Sequence, residues 1–248
     1  MNRPKSMILG LAAGLALAVL PGHALAVNGG ACNRPYAVSI SPANFETPTG
    51  APNPIDNPYF PLHPGMTWHY EGFKEGGSLT DIQTVTNDTK TIMGVPARVV
   101  RDTNWEDGLL AEDTFDWYAQ DDAGNVWYFG EDTREFDEQG NVVTTEGSWE
   151  AGQHGNLPGL FMLAQPRSGL TYRQEFGIDV AVDMTTILSL HRHLTVPFDS
   201  FGNVIETKEF SCIESGIDHK WYAPGIGNVK ELAVANGQEM IQLVDFSQ

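Results

Sequence analysis

Carboxylates and tyrosines are the residues whose types and spacing could do chemistry in this chain. Asp116, Tyr118, Tyr128, Asp132, Glu146 and Glu150 fall within one aromatic-rich stretch, and Arg173 and Glu175 follow in "YRQEF". Together these eight form a candidate site for a small ligand or a cation. Paired carboxyls could instead share acid and base roles in a hydrolase, with Asp116, Glu131, Asp132, Glu146, Glu150 and Glu175 as candidates. That chemistry needs two carboxyls ~5–9.5 Å apart, one with a raised pKa. His191 and His193 share a face if "HRH" is a strand, but zinc needs further ligands, and His63, His69, His154 and His219 lie far off in sequence. No metal site is assigned. No cofactor is called for by any motif, and a divalent cation is the one candidate. The chain has no Gly-x-Ser-x-Gly elbow, no His-Glu-x-x-His and no phosphate-cradling glycine loop. The catalytic residues are therefore unknown, and enzymatic activity stays open.

The elements that must position these groups are marked by a phrase used twice. Asp-x-x-Gly-Asn-Val begins at Asp121 and again at Asp137. A calcium loop of the EF-hand type needs a denser ladder of oxygens than either copy supplies. As three-residue hairpin loops, with Gly124 and Gly140 left-handed, they pair Asp121 with Asn125 and Asp137 with Asn141. Counting outward puts Trp117 opposite Phe129, and Phe129 opposite Trp149. One face then collects Phe115, Trp117, Trp127, Phe129 and Trp149. The other collects Thr114, Asp116, Tyr118, Tyr128, Asp132, Glu146 and Glu150, with Asp132 across from Glu146. Like charges placed so need a cation, a basic partner such as Arg173, or water.

From Met66 onward short segments rich in β-branched and aromatic residues alternate with Gly, Pro, Asn and Asp, as in "TWHYEGF", "ARVVRDT", "HKWYA" and "EMIQLVDF". The pattern predicts an all-β, mainly antiparallel fold: a strongly curved sheet, half-barrel or barrel-like, with at most one or two short helices. Residues 178–190 read as strand or short helix. The stretch 158–166 reads as a buried apolar loop or short helix between prolines.

Residues 1–26 read as a signal peptide, with Arg3 and Lys5, an apolar run too short for a comfortable span, and Ala24-Leu25-Ala26 as the cleavage site. Residues 27–65 hold eight of the fifteen prolines and read as an extended arm. Residues 66–248 read as one β domain. No later run is long enough to span a membrane, and Gly29 stands where a lipobox before Cys32 needs an aliphatic residue. The expected location is therefore periplasmic or extracellular. The net charge of −18 disfavours nucleic acid as a partner and suits cations, basic ligands or simple solubility. Two cysteines in an exported chain predict one disulfide, Cys32–Cys212. Oligomeric state has no sequence signal.

The phrases "EDTFDWYAQDDAGNVWYFGEDT", "GSWEAG", "YRQEF" and "KWYAPGIGNVKE" resemble those of an uncharacterised group of exported bacterial β-rich proteins, over about Asn57 to Glu231. The closing Tyr-Ala-Pro-Gly phrase is similar to one in exported proteins with half-barrel, lipoprotein-carrier-like sheets. The resemblance implies a curved sheet and carries no catalytic residue. The reading is an exported acidic β module that binds a small ligand or cation. The alternatives are a carboxylate-dependent hydrolase and a structural envelope protein.

Overall fold

The structure, a computed structural model, describes residues 29–248, and the expected signal peptide lies outside the described residues. The first strands are β1 (Thr67–Lys74), β2 (Gly77–Ile92), β3 (Val95–Glu106), β4 (Leu109–Gln120) and β5 (Val126–Phe136). Each pairs antiparallel with the one before it. Three of their connections are two-residue turns ending in glycine: Glu75-Gly76, Met93-Gly94 and Asp107-Gly108. Both residues of each have positive φ, the geometry whose twist matches that of paired strands.

Short pieces follow: β6 (Val142–Thr144), β7 (Trp149–Glu150), β8 (Gly159–Met162) and β9 (Thr171–Arg173). A second meander then runs through β10 (Asp183–Thr195), β11 (Ser200–Ser211), β12 (Ile217–Ala223), β13 (Gly227–Ala235) and β14 (Glu239–Ser247). β14 pairs with β1, so the two meanders form one 14-stranded sheet. Its path is open, running from β6 at one edge to β9 at the other. Register shifts in β1, β2, β3, β4–β5 and β10–β11 bend the strands, as bulges do, and wrap the sheet into a trough.

The expected all-β curved sheet is observed. The open reading of 178–190 resolves as strand from Asp183 onward, in keeping with its β-branched residues. Residues 158–166 were expected as loop or short helix. Instead Gly159–Met162 forms β8 against β5, because β5 has free backbone groups beyond β6 to satisfy.

The arm is irregular apart from one helical turn at Gly29–Cys32 and a 3-10 turn at Pro42–Phe45. It grips the sheet from both sides. Phe45 packs edge-on against Trp127 and Phe129 on the outer face, with ring centroids 6.4 and 5.7 Å away. Phe60 enters the trough, 5.2 Å from Tyr118, 4.4 Å from Phe161 and 6.4 Å from Tyr222. Gln120 Oε1 accepts from the Asp56 and Asn57 amides between these contacts. The arm's start is bonded to the sheet by the predicted disulfide, Cys32–Cys212, with Cα atoms 5.6 Å apart.

Candidate functional site

The trough's chemistry is decided by one residue, Gly130. The two Asp-x-x-Gly-Asn loops form as expected. The Asp121 amide donates to the Asn125 carbonyl, the Asp137 amide to that of Asn141, and each Asp carboxylate caps its own loop. Neither loop has carboxylate oxygens to spare in the way an ion site needs. The register then holds through Tyr118–Tyr128 and breaks. Asp116 pairs with Glu131, and Phe115 with Asp132, so β5 carries an extra residue at Gly130. Gly130 has φ +123°, and a Cβ there would lie 2.2 Å from the Trp149 carbonyl oxygen. No other residue type fits that close approach.

The bulge exchanges faces beyond it. Asp116, Tyr118 and Tyr128 stay on the inner face as expected. Glu131 joins them there, 3% exposed. Asp132, expected inside, lies outside against Arg134 at 2.8 Å. Trp149, expected beside Trp117, instead stands on the inner face with its ring 5.5 Å from Tyr128. Glu150, expected inside, pairs with Lys90 at 2.8 Å, and Lys90 in turn sits over the Trp117 ring. Glu146 is exposed in the turn before β7, not across from Asp132. Arg173 does not reach these carboxylates. It is buried between the Tyr36 and Phe176 rings and donates to the Cys32 carbonyl. Glu175 is buried near Asp183, Glu131 and Asp116. The site as counted from sequence therefore divides: Asp116, Tyr118, Tyr128 and Glu175 remain, and the other four leave.

The inner face gains carboxylates that the sequence reading passed over. Asp81 on β2 and Asp102 on β3 share Gln83, whose amide donates to both, at 3.3 and 3.0 Å. Burial raises both pKa values, Asp81 to about 7. Asp116 and Glu131 form a second cross-strand pair. Burial raises Asp116 to about 7 despite the 2.5 Å bond from Tyr128 Oη, and burial together with Asp116 raises Glu131. Lys220, from β12 across the trough, pairs with Glu209 and Glu231 at 3.3 Å each. Burial alone would depress its ammonium, but these carboxylates hold it charged. Lys74, at the mouth, meets Glu106 at 3.3 Å and Glu239 at 3.7 Å.

Two lysines do not balance this many acids. Asp81 Oδ1, Asp102 Oδ1 and Glu131 Oε1 are buried and meet no hydrogen-bond donor among the described residues. All three residues line a cavity of about 40 Å³, with Lys74, Glu112 and Glu239 toward its mouth. That volume holds roughly three waters or one ammonium head, and no sugar ring. Beyond Asp102 and Asp116 a second void of the same size is walled by Phe60, Trp68, Tyr70, Tyr118, Phe161 and Tyr222. Among the described residues no three metal-ligating side chains are grouped to hold a metal ion, and His191 and His193 are exposed.

A signal for the missed residues was present. In "LTDIQTV" Asp81 and Gln83 occupy the alternate positions of Leu79 and Val85, and in "HKWYA" Lys220 alternates with Tyr222. A charge within the buried set of a strand marks a wall that is polar by design.

No family model and no curated protein matches the chain. Two solved structures are similar in shape. One is described as an exported protein with a YmcC-like fold from Bacteroides fragilis: 14% identical, TM-score 0.44, covering 77% of this chain and 99% of that one. The other is described as a lipoprotein from Parabacteroides distasonis: 11% identical, TM-score 0.39, covering 76% and 98%. At this distance neither carries information about ligand or chemistry. Among the described residues no helix is long and apolar enough to cross a membrane.

Proposed function

We propose that this chain is an exported module whose trough binds a small cation, with the ammonium head of an organic amine as the best fit. The observation that carries the reading is the set of three buried, undonated carboxylate oxygens facing one small cavity. A buried carboxylate without a donor or counter-charge is costly, so the site gains most from a bound positive charge. Aromatic walls next to the carboxylates favour an alkylammonium, since ring faces attract cations stripped of water. Lys220 already shows one ammonium held there. The disulfide suits the oxidising compartment that export implies.

Thermal shift with putrescine, tetramethylammonium, sodium, calcium and glucose tests this. Amines should raise Tm in proportion to the logarithm of their concentration, and glucose should not. Asp102→Asn combined with Glu131→Gln should abolish the amine response. Absence of a shift with every cation, or a shift that survives the double substitution, overturns the reading.

The adjacent Asp116–Glu131 pair, with Asp116 raised to about 7, also has the form of an acid–base couple and keeps the hydrolase reading alive. A panel of glycoside, ester and amide substrates decides it. Turnover abolished by Asp116→Asn would favour catalysis, and no turnover would remove it.

A further inference from the structure

A third cavity lies where the arm crosses the ends of β3 and β4. It has a volume of about 320 Å³, inside the ~300–1,000 Å³ range of small-molecule sites. Its walls are mixed: Phe45, Pro54, Ile55, Leu62, Pro64 and Pro96 supply the apolar part, and Asn53 and Tyr118 add polar groups. The one charged group on its wall with a permanent positive charge is Arg98.

Arg98 is held by backbone carbonyls. Its Nη1 donates to three successive carbonyls, those of Thr86, Asn87 and Asp88, at 3.4, 2.9 and 3.2 Å. These carbonyls sit where β2 slips register against β3, between Val85 and Thr89. The slip turns the carbonyls of a strand inward on one side and fixes the guanidinium. Among the described residues Arg98 belongs to no ion pair, in contrast to Lys74, Lys90, Arg101, Arg134, Arg192 and Lys220 and in common with Arg173. All three of its carbonyl bonds run through Nη1. Asp88 is the acid that acts on it electrostatically, from outside pairing distance. His63, also on the wall, is exposed.

We propose that this cavity binds a small monocarboxylate with an apolar body, anchored by the free edge of the Arg98 guanidinium. A planar fork of donors matches a carboxylate, and the proline and phenylalanine walls match an alkyl or aryl chain. Single negative charge is the class the surroundings tolerate. The net charge of −18 opposes multiply charged anions, but beyond about 8 Å salt screens it at physiological ionic strength. The pocket is built by the arm and the sheet together, so occupancy also fastens the arm. It shares Leu62 and Tyr118 with the aromatic void, but no charged residue with the acidic trough.

The probes are hexanoate and phenylacetate with their carboxamides, read by saturation-transfer NMR and titration calorimetry on the full mature chain. Both carboxylates should bind with Kd of about 1 mM or tighter, and the amides roughly tenfold more weakly. Arg98→Gln should erase the preference for carboxylate over amide. That substitution also frees three carbonyls, so Pro54→Trp serves beside it. Pro54 is exposed on the cavity wall, and the indole should block all four ligands while circular dichroism stays unchanged. Failure of both carboxylates to bind, equal binding of acids and amides, or binding untouched by Pro54→Trp overturns the proposal. Competition by putrescine would place the ligand in the trough instead, and would overturn it too.

Discussion

Asp81 and Asp116 are carboxyls raised to about 7, and Asp183 to about 6, each chiefly by burial. A carboxyl raised in the folded state binds its proton more tightly there than in the unfolded chain. Its contribution to stability is complete below the unfolded pKa near 4 and is lost as pH rises through the folded value. For Asp81 and Asp116 that window runs from roughly pH 4 to pH 7, so the trough favours folding in mild acid and strains it in base. Tm should therefore rise on moving from about pH 8 to about pH 5, opposite to a protein held by ordinary surface ion pairs. A flat or falling Tm across that interval refutes the burial of these groups. Asp102→Asn removes one acid of the buried pair and places an amide donor beside Asp81. It should raise Tm in base more than in acid, flattening the profile. Amine binding should follow the same window with the opposite preference, tightening as the carboxyls ionise.

At the scale of strands and turns, much was legible because it is local. Asp121 and Asp137 announced their loops, since a side chain that caps its own turn needs only a glycine two or three residues on. The β-branched segments announced strands, and Trp117, Trp127 and Phe129 share a face as alternation required. The bulge was not legible. Gly130 looks like an ordinary strand glycine in "YFGED", and its need for positive φ arises only from Trp149, brought against it by β7 pairing with β5. One slipped residue then moved Asp132 and Glu150 outside, and Glu131 and Trp149 inside. Gly-Asn-Val recurs at Gly202, without the preceding Asp-x-x, and there it does not close a loop. Gly202–Val204 lies inside β11, where Asn203 has φ +54° and the register against β10 shifts. Gly130→Ala should cost about 3 kcal/mol or more, because strain and the clash with the Trp149 carbonyl add. Gly140→Ala, with φ +78° and open space around it, should cost only about 1 kcal/mol. Urea denaturation of both variants measures the difference, and equal losses would count against the bulge.

The whole molecule is tied together across most of its length in sequence. The bond between Cys32 and Cys212 spans 180 residues, and the arm it starts delivers Phe45 to one face and Phe60 to the other. Closing a loop of that length removes unfolded-state entropy worth about 5 kcal/mol at most. Phe60→Ala removes a ring from the aromatic end of the trough and should cost about 3–5 kcal/mol. Reduction should lower Tm for the same chain, and calorimetry with and without reductant measures it. If the arm is an independent appendage, neither change will move the main transition. A single shifted transition is expected instead, because Phe60 touches strands of both meanders through Tyr118 and Tyr222.

An open sheet of 14 strands leaves two free edges, and these fall on β6 and β9, each three residues long. At β6 a second chain seeking to extend the ladder would find only a short run of backbone, whereas β9 covers just Met184–Thr186 of β10 and leaves the rest of that strand, to Thr195, as the edge. Val142 and Val143 are exposed on β6, but three residues are too few for a lasting strand-to-strand seam. The consequence appears in acid, where the carboxylates lose the mutual repulsion that keeps molecules apart. A long-edged sheet stripped of its charge would polymerise through its backbone. Here the exposed stretch of β10 carries Arg192, an edge charge that opposes strand addition, so the protein should instead precipitate amorphously and redissolve when the charge returns, without fibrils.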